Sequence, residues 1–375
     1  MTAKLTFYPL GNADTLAIDL RDGRRMLIDY ANVRDPKDRF DLRCDLADEL
    51  RTSLRKAGRD YYDVVCFTHL DNDHCKGAPE FFWLTPACYQ GPGRIKIREL
   101  WVPAAAITEE GLEDDARVIR QEARERLIRG SGIRVFSRPE RLRAWLASKN
   151  IPIETRAHLI TDAGHYVPGL SASGQEGAEF FVHCPFGHRL NEREVEDRNE
   201  DSVVLQVTFM EGANPTYALL CADVNHETLA HIVRVTLKHR NADRLLWDIM
   251  KLPHHCSYLS LGPERGVHET VAVPEVKWLF EVQGREGAFI VSPSKPIPVA
   301  GTKENQDSQP PHRQAASHHR RVARLKNGEF KVTMETPSAA RPKPFQFEIT
   351  QWGASLVLAA PSVLVSATST PARAG

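Results

Sequence analysis

The sequence has no apolar run of about 18 residues, the length that a helix needs to cross a lipid bilayer. Its first residues also lack the basic start, the apolar stretch and the small-residue cleavage site of a signal peptide. Cysteine is sparse. The seven cysteines stand singly along the sequence and form no CxxC pair. Such spacing favours reduced thiols over a disulfide framework or a zinc ribbon. We therefore expect a cytoplasmic protein that makes no use of a membrane.

An excess of charge of either sign is missing too, because the 375 residues contain 49 Lys and Arg and 49 Asp and Glu. Charged residues make up 26% of the chain and hydrophobic residues 42%. These proportions exclude a fibrous protein and a chain that is disordered throughout. The length allows two or three domains, or one large α/β core.

Four metal-ligand side chains follow a short apolar run. Residues 64–67 predict a buried strand, and the polar segment THLDNDH comes directly after it. Two imidazoles and two carboxylates lie within six residues of that segment: His69, Asp71, Asp73 and His74. In a turn, such groups converge on a hard or borderline divalent cation. A segment this short cannot complete two coordination spheres, so further ligands must come from distant parts of the chain.

Three later apolar runs also end in ligand-type side chains, namely His183, Asp223 and the pair His254 and His255. Together with the 69–74 segment, these run ends indicate one shared edge of a sheet. Other interpretations stay open at this point, since His183 also fits a core histidine and Asp223 also fits a helix N-cap. The sequence does not choose between His254 and His255.

Five motifs occur in order along the chain: HxDxDH from His69, HCP from His183, NEDSVVL from Asn199, LLCAD to Asp223 and KLPHHCS from Lys251. This set resembles the metallo-β-lactamase superfamily, and it is most similar to the hydrolase domain of the ComEC/Rec2 DNA-uptake proteins. The GNAD turn that ends at Asp14 and the Leu-Ile-Asp segment that ends at Asp29 match the opening of that branch. The resemblance implies a soluble, free-standing relative.

The resemblance implies an α/β fold of the metallo-β-lactamase type, a four-layer αββα sandwich. Residues 1–293 would form the hydrolase domain, with residues 91–178 as a helical, Arg-rich insertion. Residues 294–325, rich in Pro, Gln, His and Arg, are typical of a linker or long loop. Residues 326–366 would form a small C-terminal β extension, and residues 367–375 a tail.

The same resemblance implies two divalent cations, Zn or Mn, and eight candidate metal ligands. The ligands are His69, Asp71, Asp73, His74, His183, Asp223, His254 and His255. His69 and Asp71 would bind one cation, Asp73 and His74 the other, and Asp223 both. Because the superfamily usually has histidine where Asp71 stands, the first position is richer in oxygen, which favours Mn or a weaker Zn site.

The remaining implied roles complete this expected site. His183 would add to the first cation, and either His254 or His255 to the second. Asp14 and Asp29 would orient the ligands, as groups behind a metal site usually do. Asp73 and Asp223 are the expected catalytic residues. Two cations about 3.5–4 Å apart lower the pKa of a shared water and hold the oxygens of a phosphoryl group, so hydrolysis needs no covalent intermediate.

Two basic segments supply candidate substrate-binding residues, which are Arg117, Arg120, Arg124, Arg320 and Arg321. The first three lie in residues 116–150, where nine Arg and one Lys oppose three Glu, an excess of seven positive charges. A solvated helical face laced with ion pairs is the other interpretation of this segment.

The leading functional hypothesis is a phosphodiesterase or nuclease with a nucleic acid or another phosphoester as substrate. One alternative is a metallohydrolase of a small molecule such as a cyclic nucleotide, a phosphoester or a lactone. Another is a partner-gated component of a multi-protein bacterial system. In that case a protein partner would dock on the insertion or on the C-terminal extension.

Overall fold

The computed structural model describes residues 2–186 and 201–358, and within them the chain forms two β-sheets. The first sheet has nine strands in the order β15-β14-β1-β2-β3-β4-β5-β6-β7. Its strands are β1 (Ala3–Phe7), β2 (Leu16–Asp19), β3 (Arg25–Ile28), β4 (Tyr61–Cys66), β5 (Lys96–Pro103), β6 (Ile133–Phe136), β7 (Ile160–Thr161), β14 (Phe345–Thr350) and β15 (Gly353–Leu358). The second sheet has six strands in the order β13-β12-β11-β10-β9-β8. They are β8 (Ala178–Cys184), β9 (Val204–Met210), β10 (Pro215–Cys221), β11 (Trp247–Lys251), β12 (Gly284–Ser292) and β13 (Glu329–Val332).

The α-helices of the described residues are mostly short. They are α1 (Leu46–Lys56), α2 (Asn72–Cys75), α3 (Ala78–Phe81), α4 (Ala105–Thr108), α5 (Asp114–Arg129), α6 (Glu140–Ser148), α7 (His226–Lys238), α8 (Pro274–Glu281) and α9 (Arg313–Leu325). In α1 the side chain of Asp45 caps the first turn, and the leucines at every fourth position form one buried face. Across residues 2–186 and 201–358, no helix combines the length and the apolar character that crossing a membrane requires.

Three hydrophobic cores define the layers. One lies between the first sheet and α1 and α5, and it includes Leu50 and Ile119. A second lies between the two sheets, where Phe180 and Phe347 are fully buried. A third, which includes Phe280, lies between the second sheet and α7, α8 and α9. The α/β class expected from the sequence is therefore confirmed, since helices cover the outer face of each of two packed sheets.

Three segments that the sequence sets apart are built into these layers. Residues 91–178 contribute β5, β6 and β7, which continue the first sheet by parallel pairing from β4. Residues 294–325 include α9, where the sequence predicts a linker or loop. The buried positions of α9 are mainly alanine and histidine. Its apolar face is therefore harder to recognise in the sequence than that of a leucine-rich helix.

The expected C-terminal extension also belongs to both sheets. β13 pairs with β12 in the second sheet, and β14 pairs with β1 in the first. Residues 359–366 of this extension and the predicted tail, residues 367–375, lie outside the described residues. Asn199, which opens the NEDSVVL motif, does so as well.

Candidate metal centre

The candidate site lies where strand ends from both sheets meet. The 69–74 segment follows β4 of the first sheet, whereas Asp223 follows β10 and His255 follows β11 of the second. Strands β10 and β11 are parallel neighbours, so their carboxyl ends reach the same edge. One ligand atom from each of Asp73, His74, Asp223 and His255 lies within 4.8 Å of all the others. Residues separated by more than 180 positions in the chain are thus brought together, as the sequence predicts.

A fully buried carboxylate fixes the ring of His74. Asp29 Oδ1 accepts a hydrogen bond from the Thr68 backbone N–H at 2.7 Å, and its Oδ2 lies 2.8 Å from His74 Nδ1. Because a carboxylate only accepts, His74 Nδ1 carries the proton of this hydrogen bond. The lone pair of Nε2 therefore faces the site, where Asp223 Oδ1 lies 3.4 Å away.

His255 is fixed in the same tautomer by a backbone carbonyl. Its Nδ1 donates to the Pro293 carbonyl oxygen at 2.7 Å. Nε2 is then the unprotonated nitrogen of the neutral ring. It lies 3.1 Å from Asp73 Oδ2 and 3.5 Å from Asp223 Oδ2.

Thr68 extends this arrangement to His69. Its hydroxyl donates to Asp29 Oδ2 at 2.7 Å, so the hydroxyl oxygen accepts from His69 Nδ1 at 3.1 Å. His69 Nε2 is left without a hydrogen-bond partner inside the protein, 3.8 Å from Asp71 Oδ2. All three imidazoles therefore present an Nε2 lone pair toward carboxylates.

These contacts fit a cation better than they fit an empty pocket. Buried polar atoms are almost always hydrogen-bonded, yet Nε2 of His69, Nε2 of His74 and Oδ1 of Asp223 have no hydrogen-bond partner. Lone pairs that face carboxylate oxygens repel them unless a proton or a metal ion lies between. Imidazole nitrogens with carboxylate oxygens are a donor set that suits Zn and Mn.

The electrostatics of the described residues point the same way. Burial lowers the pKa of His74 and of His255, but the charge of Asp223 outweighs burial and raises both. Burial raises the pKa of Asp223, yet the charges of His255 and His74 hold it well below its usual value. For Asp73, burial raises the pKa, but His255 outweighs burial and lowers the pKa to about 2, because without a cation the protonated ring of His255 donates to Asp73 from Nε2. The pocket thus has a negative potential that attracts protons or metal cations.

The structure separates the two adjacent histidines that the sequence leaves as alternatives. His255 belongs to the four-residue group, and its side chain is buried. His254 is half-buried and is not a member, and the two ring centres lie 6.2 Å apart. Consecutive residues seldom direct their side chains at one point, and of this pair His255 faces the cluster.

His183 lies elsewhere, which corrects the expectation that it joins the first cation. Phe180 and Val182 of β8 face the core between the sheets. His183 faces the segment after α7, where its Nε2 donates to the Arg244 carbonyl at 2.8 Å. Burial lowers the pKa of His183 to about 4, so it is a neutral core histidine.

Asp14 and Asp29 both lie behind the candidate ligands. Asp14 pairs with Lys251, a residue that sequence reasoning misses. Asp14 Oδ2 lies 2.5 Å from the ammonium of Lys251, and both side chains are 3% exposed. The sequence signal is a single cation near the end of an apolar strand. Thr68 is missed as well, although it directly precedes His69.

The candidate substrate-binding arginines are mostly engaged inside the protein. Arg120 and Arg124 on α5 donate to backbone carbonyls and also pair with Glu110. Arg321 pairs with Glu269 and Glu281. The contacts of Arg120 and Arg124 agree with the alternative for residues 116–150, a helical face laced with ion pairs.

Two further arginines of that set differ from these three. Arg117 is exposed on α5, and the Arg320 guanidinium lies 5.4 Å from the ring centre of Phe330. Their role in substrate binding stays a prediction.

Comparison with known proteins adds little to the interpretation of this geometry. No protein-family model and no curated protein matches the chain. One solved structure, described as a new diphosphatase from the PhnP family, aligns over 83% of this chain and 95% of its own, with 12% identity and a TM-score of 0.30. A likeness at that level supports no conclusion about this protein.

Proposed function

We propose that the protein is a metal-dependent hydrolase that cleaves phosphoester bonds with the help of two divalent cations. The carrying observation is the fixed tautomer of three imidazoles, each of which turns Nε2 toward carboxylates. Without a cation, these Nε2 atoms must either take up protons or stay buried without partners, which costs free energy. The resemblance of the motifs to the metallo-β-lactamase superfamily supports hydrolysis. The closer likeness to the ComEC/Rec2 branch stays a prediction.

In this proposal, Asp73, His74, Asp223 and His255 hold one cation, and His69, Asp71 and Asp223 hold the other. Charge counting supports two. The carboxylates of the site are Asp14, Asp29, Asp71, Asp73 and Asp223. With neutral imidazoles and the ammonium of Lys251, these five carboxylates leave four net negative charges, which two divalent cations neutralise.

The bound cations would lower the pKa of water and offset the charge of a phosphoryl group. The side chains of this chain divide the remaining tasks. Asp223, whose side chain is 5% exposed, would bind both cations from the buried side of the site. Asp73 has 36% of its side chain exposed, so substrate would approach along this residue. Asp29 and Thr68 keep the imidazole tautomers that metal binding requires.

One cationic side chain near the GNAD turn, that of Lys295, supports an anionic substrate, whereas the neighbouring Arg43 is paired with Asp41. Gly11 lies three residues before Asp14, and the space where its side chain would begin is bounded by Arg43 Cδ and Lys295 Cγ, each 3.6 Å away. Lys295 is exposed and comes two residues after Pro293, whose carbonyl fixes His255. The Lys295 backbone N–H also donates to Asn12 in the GNAD turn. We assign Lys295 to phosphate binding.

Lys295→Ala is expected to raise KM for a phosphoester about tenfold and to change kcat by less than about twofold, because the lost contact contributes equally before and during the reaction. Steady-state kinetics on one substrate measures this. Lys303→Ala is the matched control, since Lys303 is exposed in the same segment after β12. An equal rise in KM for both variants would remove Lys295 from the substrate site.

Metal analysis combined with a substrate panel tests the proposed function. Purified wild-type protein is expected to contain about two equivalents of Zn or Mn. His255→Ala is expected to lose metal, and His254→Ala is expected to retain it. Wild-type protein without metal, or equal metal content in the two variants, contradicts the proposal.

The panel contains a phosphomonoester, a phosphodiester, a cyclic nucleotide, a lactone, single-stranded DNA and single-stranded RNA, each with and without chelator. Cleavage of a phosphoester that chelator abolishes supports the function. A steep rise in KM with salt favours a nucleic acid, and a flat dependence favours a small phosphoester. Cleavage of the lactone alone would overturn the phosphoester assignment.

A further inference from the structure

Lys251 is a fully enclosed cation beside the metal-ligand cluster. Its side chain is 3% exposed, and its ammonium donates to the Cys221 carbonyl oxygen at 2.7 Å. The ammonium also lies 2.5 Å from Asp14 Oδ2. Burial lowers the pKa of Lys251, but the charge of Asp14 outweighs burial and raises it, so the group is an ammonium.

The two partners of Lys251, Cys221 and Asp14, are connected to different candidate ligands. Cys221 ends β10, and Asp223 follows it by two residues in the second sheet. Asp14 belongs to the GNAD turn of the first sheet, and its backbone N–H donates to the Asp73 carbonyl at 2.9 Å. Lys251 itself lies opposite Leu220 in the pairing of β11 with β10. One ammonium thus joins the backbone before Asp223 to the turn that holds Asp73.

Stability alone gives little reason for such a pair. A buried ion pair often stabilises a protein no more than well-packed apolar residues of the same volume, because both charges lose their hydration. A second observation concerns Asp14. A carboxylate oxygen of Asp14 lies within 4.8 Å of ligand atoms of Asp29 and His74, close enough for the three to compete for a cation. The ammonium of Lys251, 2.5 Å from Asp14 Oδ2, already pairs with this carboxylate.

We propose that Lys251 is a positioning residue of the metal centre. With Asp14 it fixes the distance between Asp73 and Asp223 across the two sheets and keeps Asp14 from acting as a ligand. This inference rests on the proposed function, since it assumes that Asp73 and Asp223 bind metal. Lys251 touches neither substrate nor cation and acts through these two carboxylates.

The test uses the double variant Asp14→Asn/Lys251→Met, which removes both charges and leaves no buried ion unpaired. Its thermal midpoint is expected to stay close to that of the wild-type apoprotein. Its affinity for Zn or Mn, measured by competition with a chromophoric chelator, is expected to fall at least about tenfold. At saturating metal, kcat on a phosphoester is expected to fall while KM changes little. The carboxylates are misplaced in this variant, whereas Lys295, the proposed phosphate-binding residue, is unchanged.

A matched control is another deeply buried ion pair, that of Glu122 with Arg126 on α5, whose N and O atoms are 2.7 Å apart. The double variant Glu122→Gln/Arg126→Met removes similar charges outside the metal cluster and is expected to keep the metal affinity and kcat of the wild type. Lys251→Met alone should lower kcat at saturating metal at least as much as the Asp14→Asn/Lys251→Met pair does, because the released Asp14 carboxylate can then draw a cation away from Asp73 and Asp223.

Unchanged metal affinity and kcat in the Asp14→Asn/Lys251→Met variant would overturn the inference and leave the proposed function intact. Equal losses in the control pair would also overturn it, because they would show a general effect of lost stability. Failure of wild-type protein to bind Zn or Mn would instead overturn the proposed function, and the role of Lys251 with it.

Discussion

Asp223→Ala is expected to lose both cations and to lower kcat by more than about 100-fold. Changes in groups that only orient ligands commonly cost 10–100-fold, and the proposed function assigns Asp223 as a direct ligand of both positions. Without it, Nε2 of His74 faces no carboxylate at 3.4 Å, and His255 retains only Asp73. Elemental analysis and steady-state kinetics on a phosphoester measure the two losses.

Asp248→Ala is the matched control for this change. Asp248 is also a largely buried carboxylate of the second sheet, but its Oδ2 accepts from the Tyr217 backbone N–H and pairs with Arg285. We expect it to retain both cations. Wild-type activity in Asp223→Ala would exclude a metal mechanism at this site, whatever the metal content of the protein.

Asp29→Asn is expected to lower metal affinity about 10–100-fold while the fold is retained. The amide oxygen can still accept from the Thr68 backbone N–H, so the amide nitrogen takes the place of Oδ2 beside His74. An amide N–H donates, so His74 Nδ1 must become the acceptor, and its proton moves to Nε2, which can no longer bind metal. Asparagine also tolerates the positive φ of 59° at this position.

Metal titration and a thermal melt of the apoprotein separate these effects in Asp29→Asn. The control is Asp19→Asn in the adjoining β2–β3 hairpin, where the carboxylate pairs with Arg25. It removes the same charge from a partly exposed pair and leaves His74 unaffected. Equal metal affinity in Asp29→Asn and the wild type would mean that the tautomer of His74 is not set by Asp29.

The ligands near strand ends were predictable because the pattern is local. An apolar run that ends in THLDNDH indicates both a strand and a metal site, and the structure joins Asp73 and His74 from it to Asp223 and His255. His183 follows an equally apolar run, yet the alternation along β8 turns it away from the others. The sequence gives the period of a strand but not which face a residue near its end will occupy.

The contacts that set proton positions could not be predicted in this way. His255 depends on a carbonyl 38 residues away, and Lys251 finds Asp14 across the two sheets. Those pairings follow from how the layers pack, which no local pattern encodes. Helix α9 shows the same limit for the fold, because its alanine and histidine face is buried only by tertiary contacts.

The division of the ligands between the sheets has a consequence for the maturation of the protein. Asp73 and His74 follow a strand of the first sheet, whereas Asp223 and His255 follow strands of the second. In a newly made chain, these donor atoms are therefore scattered until the two sheets have packed together. Under the proposed function, an ion would bind the finished arrangement far better than any earlier one, so metal uptake and completion of the tertiary structure would be coupled, and each would favour the other.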